Sequence, residues 1–194
     1  FLPTLLADHL DREEDIVHDG GEFFKYEDGV FLPVHNCVLG KEAKTILGKD
    51  ASKHRIADAL KLLEYKTYST KEPAEGLINF KNGMLNIRNR ELLPHDKKYC
   101  SRVQVPFEVI PGAVSPTLTQ SLAQWFPDDP GKSLALQDFA GYCLWPKNFI
   151  EKVLFLIGDG ANGKSKTIKF LTDLVGTQNV SALELHQLNE NFLL

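Results

Sequence analysis

Residues 152–165 run Lys-Val-Leu-Phe-Leu-Ile-Gly-Asp-Gly-Ala-Asn-Gly-Lys-Ser, an apolar stretch that leads into the pattern G-x-x-x-x-G-K-[S/T]. The stretch 152–157 has the continuous apolar character of a buried parallel strand. Residues 164–175 are amphipathic and are followed by Gly176, a common residue just past a helix end. Strand, glycine-rich loop and helix in this order form the context of a phosphate-binding loop, or P-loop. The sequence therefore predicts the first strand, loop and helix of an α/β P-loop NTPase.

The residue types of this loop suit a polyphosphate. Glycines let the backbone curl so that N–H groups point at phosphate oxygens, and the N-terminus of the following helix adds a positive field. Lys164 is expected to contact the β- and γ-phosphates, and Ser165 to place its hydroxyl on Mg²⁺. ATP and Mg²⁺ are the predicted cofactors, Lys164 and Ser165 the predicted catalytic residues, and Ser165 the predicted metal ligand. The predicted cofactor-binding residues are Gly158, Gly160, Ala161, Asn162, Gly163, Lys164, Ser165 and Lys166.

Chance is a poor explanation of the match. With glycine at about 7% of residues, a random match in a chain of this length is roughly a one-in-a-hundred event, before any strand and helix are required. Residues 131–133 are also Gly-Lys-Ser, but Phe126 stands where the first glycine belongs and no strand precedes them. We interpret this second sequence as a loop that enters a helix, with Ser133 as its candidate cap.

The composition is that of a globular chain. Of the 194 residues, 43% are hydrophobic and 25% are charged, which excludes intrinsic disorder, collagen and coiled coil. No apolar run approaches the roughly 20 residues that cross a bilayer, so we expect a cytoplasmic protein without a membrane partner. The formal net charge of -4 gives no attraction of the whole chain for nucleic acid. The three cysteines are far apart, and neither a zinc site nor a disulfide framework is predicted.

The residues before the P-loop strand predict an α+β region of helices and β-hairpins. Asp28-Gly29 and Asn82-Gly83 are the hairpin signals, because glycine adopts the positive φ of such turns without strain. The predicted elements are helices at 4–10, 52–66, 118–125 and 133–144, strands on either side of both hairpin turns, further strands at 91–93 and 103–110, and a linker at 111–116.

The helix predicted to begin at the N-cap Ser52 is the candidate DNA contact. It follows a shorter predicted helix and precedes hairpins, which is the order of a winged-helix module, and its polar side carries Lys53, Arg55 and Lys61. DNA is therefore a predicted partner. The alternative is the solvated face of an ordinary amphipathic helix.

Two aromatic residues shortly before the P-loop strand have two interpretations. Tyr142 and Trp145 are candidates for an adenine pocket. Buried packing is the alternative, because large aromatic side chains dominate protein cores.

These motifs together resemble a known family, the phage and plasmid primase-helicases, which are related to the poxvirus primase-helicase and have a superfamily 3 helicase as their motor. The start of that helicase is similar to residues 136–144 followed by 152–165. The domain before the helicase is similar to residues 25–31 and 78–85, with Pro94-His95 and Tyr99.

The resemblance implies an ATP-driven DNA-unwinding motor of the AAA+ type that assembles as a homo-hexamer and acts in the replication of a phage, plasmid or virus. It implies an α+β N-terminal domain at 1–148 and the start of the P-loop helicase domain at 149–194. In that family an acidic Walker B pair, a polar sensor and an arginine finger follow the P-loop helix, and the resemblance would place them after Leu194.

The chain begins with Phe1 and its only methionine is Met84, so we expect a piece of a longer protein that is inactive alone. Two hypotheses from other classes remain open. One is a DNA-binding or oligomerisation module that links primase and helicase. The other is a small-molecule P-loop kinase, which the late position of the motif disfavours.

Overall fold

The structure is a computed structural model that describes residues 2–12, 15–127, 129–160, 163–184 and 187. The chain forms two compact units, 1–104 and 105–194. The boundary between the units lies before residue 148, where the sequence predicts the end of the first domain. The start of the helicase domain at residue 149 stays a prediction. None of the helices within the described residues has both the length and the apolar character that crossing a bilayer requires.

In its described residues, the first unit combines three α-helices and two short 3-10 helices with two small antiparallel sheets, so the predicted α+β character of this region is confirmed. One sheet has the strand order β1-β2-β3 and the other β4-β5-β6. The elements are α1 (Pro3–Leu10), β1 (Ile16–Asp19), β2 (Glu22–Glu27), β3 (Val30–Val34), α2 (Asn36–Leu47), α3 (Lys53–Thr67), β4 (Leu77–Phe80), β5 (Gly83–Asn86) and β6 (Leu92–Leu93).

The core of this unit lies between the three helices and the first sheet. The largest of its fully buried side chains are Phe23 of β2, Leu39 of α2 and Leu63 of α3. Burial of one such side chain stabilises the fold by about 1.5–3 kcal/mol. Helix α3 begins as predicted, because the Ser52 hydroxyl accepts the Arg55 N–H at 3.3 Å.

Helix α2 was not predicted. Its cap is a histidine, His35, whose Nδ1 accepts the N–H of Cys37 at 3.1 Å, and Gly40 interrupts its pattern. Histidine is not among the usual N-cap residues, and glycine disfavours a helix interior. The buried side chains of Leu39 and Ala43, four residues apart, nevertheless give the helix an inner face.

Both predicted hairpins form, with one correction to a turn. Asp28 and Gly29 have φ values of 47° and 88° and connect β2 to β3, as predicted. The second turn is Lys81-Asn82 rather than Asn82-Gly83, because Gly83 is already paired with Phe80 in the ladder. The reason for a glycine here is the approach of β6, since a Cβ at Gly83 would lie 2.5 Å from the carbonyl oxygen of Leu93.

The described part of the second unit is helical: α4 (Pro116–Trp125), α5 (Pro130–Cys143) and α6 (Lys164–Val175). Helix α4 packs on α5, and α5 packs on α6. The expectation that Ser133 caps the second of these helices is wrong. Asp129 is the cap, because its Oδ1 accepts the N–H groups of Gly131 at 3.0 Å and Lys132 at 3.3 Å. The helix therefore starts a turn earlier, with Pro130 at its first position.

Two predicted strands are absent from the described residues, 103–110 and 152–157. Pro106 removes a ladder donor from the first. The second fails for a different reason, since a parallel strand requires neighbouring strands and the described residues of this unit contain none. Its apolar side chains instead face solvent, with Val153 75%, Phe155 76% and Ile157 92% exposed.

Candidate phosphate-binding site

The candidate site lies where residues 158–163 lead into α6. Gly163 precedes the helix with φ of 85°, a left-handed conformation that glycine adopts at little cost. The predicted helix 164–175 is confirmed, and it ends at Gly176, whose N–H bonds the carbonyl oxygen of Thr172 at 2.9 Å. The lysine and the serine of the motif therefore occupy the first two positions of a helix.

Lys164 closes the loop back on itself. Its ammonium donates to the carbonyl oxygens of Gly158 and Asp159, both at 2.7 Å. The side chain therefore bridges the start of the loop and the start of α6, so the ammonium is held at the loop rather than extended into solvent. Ala161 and Asn162, two of the predicted cofactor-binding residues, lie outside the described residues.

The first turn of α6 presents donors and positive charge. Ser165 and Lys166 are exposed. The N–H groups of a first helical turn have no partner within the helix, and the helix dipole is positive at this end. This turn carries no acidic residue. An anion placed here would meet N–H donors, a hydroxyl and lysine ammonium groups, which is the donor set that phosphate requires.

Thr167 fixes the geometry of this turn from inside the unit. It is buried, its N–H bonds the Gly163 carbonyl oxygen at 2.9 Å, and its hydroxyl donates to the same oxygen at 3.2 Å. The first turn therefore has a fixed anchor on its inner side.

One residue of this site was missed by the sequence analysis. The indole of Trp125, the last residue of α4, lies against Gly163: a Cβ at Gly163 would be 3.0 Å from its Nε1. No local pattern relates these two positions, because they lie on different elements far apart in the chain. The only signal that the sequence offers is Gly163 itself, a glycine directly before a helix.

The two aromatic candidates for an adenine pocket, Tyr142 and Trp145, both pack against Phe149. The ring centroids of Tyr142 and Phe149 are 5.6 Å apart, and those of Trp145 and Phe149 are 5.0 Å apart. The Tyr142 hydroxyl bonds the amide oxygen of Asn148. Both rings are only half-buried, and Phe149 is 58% exposed, so the adenine pocket and buried packing both stay open. Burial raises the pKa of the nearby Cys143 thiol.

The three basic residues proposed for DNA lie on α3, in the other unit. Lys53 is exposed. Arg55 donates to the backbone carbonyl of Asp50 at 2.8 Å and pairs with its carboxylate at 3.6 Å. Lys61 pairs with Glu64, Nζ to Oε2 2.5 Å, and this hydrogen bond raises the pKa of Lys61. Two of these three cations are thus already partnered by carboxylates, which reduces the net charge that the face offers to DNA.

A comparison with families of known proteins finds one that covers more than half of the chain. The family model described as "D5 N terminal like" matches residues 6–127. The match includes the whole described first unit from Leu6 onward, together with α4, and it stops before residues 158–165. No protein with a curated description matches the chain.

Proposed function

Because the chain belongs to the D5 N-terminal-like family, the N-terminal domain of D5-like primase-helicases, we propose that it is part of an ATP-dependent replicative DNA helicase. The family supports a replication-associated role. The further proposal is that residues 158–165 bind the phosphates of ATP with Mg²⁺, in a phage, plasmid or viral primase-helicase. The family match ends at residue 127 and therefore does not extend to residues 158–165. The support for a nucleotide site there comes from the geometry of the loop.

The observation that carries this proposal is the position of Lys164. Its ammonium lies 2.7 Å from two carbonyl oxygens at the start of the loop, while its backbone opens α6. This places a fixed positive charge and the N-terminus of a helix at one loop. Both favour an anion, and a multiply charged polyphosphate gains most from them.

The proposal assigns a part in binding to three residues, Gly163, Lys164 and Ser165. Lys164 supplies the charge that offsets the β- and γ-phosphates, and Ser165 supplies a hydroxyl oxygen for the metal. A bound Mg²⁺ would be held by the Ser165 hydroxyl and would offset negative charge on the phosphates. Gly163 has no side chain of its own, which lets the Trp125 indole lie close to the start of the helix. Hydrolysis additionally needs an acidic metal ligand, a residue that positions water and an arginine finger, which we assign to other parts of the helicase.

The exposed apolar segment 152–157 fits the same proposal. Val153, Phe155 and Ile157 are the kind of side chains that a central strand of a parallel sheet buries on both faces. We assign them to the first strand of the AAA+ sheet, which forms when further strands pair with it. Residues 149–194 are then the start of the helicase domain and 1–148 the domain that precedes it, and the assembled motor is a homo-hexamer.

Nucleotide titration tests the proposal, and the chain offers a matched control. Lys164→Ala should weaken the binding of Mg-ATP at least tenfold, about 1.4 kcal/mol. Lys132→Ala removes a lysine from the other Gly-Lys-Ser sequence, where it pairs with Asp129 at 3.4 Å, and should leave the affinity unchanged. Equal affinities of the two variants, with both folded by circular dichroism, would contradict the proposal.

A second function is favoured by a separate observation. Tyr65 and Tyr68, at the end of α3, are 69% and 66% exposed, and the Lys61 ammonium lies 5.1 Å from the Tyr65 ring centroid. Exposed aromatic rings beside a cation are a common platform for the bases of single-stranded nucleic acid. The alternative proposal is therefore a DNA-binding or oligomerisation module that is inactive alone. Loss of single-stranded DNA binding on Tyr65→Ala and Tyr68→Ala together, with nucleotide binding unchanged, would separate it from the first.

A further inference from the structure

The point at which the phosphate loop meets α6 is in contact with a tryptophan from a distant part of the second unit. A Cβ at Gly163 would lie 3.0 Å from Nε1, 3.2 Å from Cε2 and 3.4 Å from Cδ1 of Trp125. Real Cβ atoms are rarely so close to another heavy atom. The edge of the indole therefore fills the space that any side chain at position 163 would need.

The carbonyl group of Gly163 is held by α6 itself. The Gly163 carbonyl oxygen accepts two hydrogen bonds from the buried Thr167, one from its N–H and one from its hydroxyl. Gly163 has no side chain with which to cap the helix, and its φ is 85°. The direction of the first N–H groups of α6 therefore depends on contacts that keep Gly163 in this conformation.

We propose that Trp125 is a positioning residue for the phosphate loop. Its indole holds Gly163 against Thr167, and so keeps the N-terminus of α6 and Lys164 directed at a bound polyphosphate. This inference rests on the proposed nucleotide-binding function. Trp125 touches the loop rather than the phosphates, so its effect on binding passes through Gly163.

An indole on α4 is suited to this task. Tryptophan offers a large rigid surface with only two side-chain torsions, so ordering it costs little conformational entropy. The end of α4 is itself fixed, because the Phe126 N–H bonds the carbonyl oxygen of Leu122 at 3.1 Å and Leu122 is buried. A loop that is held in its binding conformation before the ligand arrives gains affinity, because less ordering remains to be done.

Binding of inorganic tripolyphosphate tests the inference in the full chain, since this ligand reports on the loop and not on a base pocket. Trp125→Leu should weaken tripolyphosphate and Mg-ATP by the same factor, about tenfold or 1.4 kcal/mol. Trp125→Phe, which keeps a flat ring, should recover most of the affinity. If Trp125 had a merely structural role, Trp125→Leu and Trp125→Phe would change the thermal stability but would bind tripolyphosphate with the same affinity.

Fluorescence gives a second measurement. Trp145→Phe leaves Trp125 as the single tryptophan, because the chain has two. Its emission should change saturably with tripolyphosphate, at the concentration at which binding is measured directly. Emission that stays constant at saturation would overturn the inference.

The fluorescence measurement keeps Trp125 and so tests the inference even where Trp125→Leu fails to fold, and a double-mutant cycle gives a third test in variants that fold. Gly163→Ala should weaken tripolyphosphate binding less in a Trp125→Ala protein than in the wild type, because the clash with the indole is gone while the backbone strain remains. Equal losses in both proteins would refute the positioning role and leave nucleotide binding intact. If the wild type binds neither tripolyphosphate nor Mg-ATP, the proposed function itself fails, and this result differs from every outcome in which only Trp125 is misassigned.

Discussion

The imidazole of His95 lies against Gly29, so closely that a Cβ on this glycine would come within 2.5 Å of the ring. The ring is held by Nε2, which is 3.0 Å from Asn79 Oδ1 and 2.8 Å from the Phe80 carbonyl oxygen. Both partners are acceptors, so Nε2 carries the proton. The Asn79 amide also donates to the Gly29 carbonyl oxygen at 2.9 Å and to the Ser101 hydroxyl at 3.1 Å. The turn of the first sheet and the hairpin of the second are thereby joined in one polar network.

The first prediction tests the contact between Gly29 and His95. Gly29→Ala should destabilise the first unit by roughly 3 kcal/mol, since a left-handed φ costs an alanine about 1–2 kcal/mol and the clash adds to it. Gly21→Ala is the matched control, because Gly21 has a similar φ of 84° but open space around it. Urea unfolding measures both. A cost for Gly29→Ala no larger than that for Gly21→Ala would contradict the clash.

The second prediction concerns the centre of this network. Asn79 is buried, and Asn79→Ala leaves the Gly29 carbonyl and the Ser101 hydroxyl without the amide donor. We expect a loss of about 2 kcal/mol, because a buried polar group without a partner keeps its full desolvation cost. The exposed Asn89, whose Oδ1 accepts the Glu91 N–H at 3.1 Å, gives the comparison: Asn89→Ala should cost less than about 1 kcal/mol. If Asn79→Ala and Asn89→Ala lowered the free energy of unfolding equally in urea, the Asn79 network would stabilise the fold no more than an exposed turn does.

The turn of the first sheet and helix α3 follow from short-range chemistry. Asp28-Gly29 supplies two consecutive positive φ values, and Ser52 supplies a cap three residues before its donor, so a local pattern is sufficient. Residues 152–157 show the limit of such patterns. Their apolar character predicts a strand, but a strand exists only through neighbours that lie elsewhere in the chain or beyond it.

The candidate site shows the same division. The helix from Lys164 and its glycine start follow from the motif, because each is a property of consecutive residues. The contacts of Trp125 with Gly163 and of His95 with Gly29 join residues far apart, and no pattern in a single sequence relates them. The turn at Lys81-Asn82 was missed by one residue for a related reason, since the demand for Gly83 comes from the backbone of β6.

The third prediction concerns an ion pair between α1 and α3. The Lys66 ammonium lies 3.0 Å from Asp8 and 3.4 Å from the buried carboxylate of Asp11, which also accepts the Ile16 N–H. Lys66→Met should cost about 1–2 kcal/mol, because the Asp11 carboxylate loses its cation. Lys61→Met removes the cation beside the more exposed Glu64 and should cost less than Lys66→Met in the same unfolding assay.

The same lysine gives this pair a pH dependence. The hydrogen bond with Asp8, assisted by Asp11, raises the pKa of Lys66 above its ordinary value of 10.5, although burial opposes the shift. A cation whose pKa is raised on folding contributes stability that is complete below the unfolded pKa and is lost as the pH rises through the folded value. The stability difference between wild type and Lys66→Met should therefore be constant at neutral pH and shrink above about pH 10.5. A difference that grows with alkaline pH would contradict the pair.

The fourth prediction tests α3 as a DNA contact. If Lys53, Arg55 and Lys61 contact phosphates, their joint replacement by alanine should weaken DNA binding and lower the slope of log affinity against log salt by about 0.7–0.9 per contact. Arg55 and Lys61 can contact phosphates only after their ion pairs with Asp50 and Glu64 break. Lys53 should therefore account for most of the loss of DNA affinity. Unchanged affinity and slope, measured by fluorescence anisotropy at several salt concentrations, would remove this helix from the DNA interface.

The last prediction separates binding of nucleotide from its turnover. Residues 158–165 contain the loop, the lysine and the helix N-terminus to which the proposal assigns phosphate binding, so we expect this chain to bind Mg-ATP weakly. The arginine finger of a neighbouring subunit, which the proposal assigns to other parts of the helicase, can alone contribute a factor of about 10³ to 10⁵ in rate. Phosphate release by this chain should therefore equal the background, whereas a longer protein that includes those parts should hydrolyse ATP and lose the activity on Lys164→Ala. The variant should still fold, because the Lys164 ammonium bonds carbonyl groups of the loop rather than the core. A steady-state assay on the three proteins decides the matter: turnover by this chain alone, or full activity of the longer protein with Lys164→Ala, would show that the catalytic groups lie elsewhere.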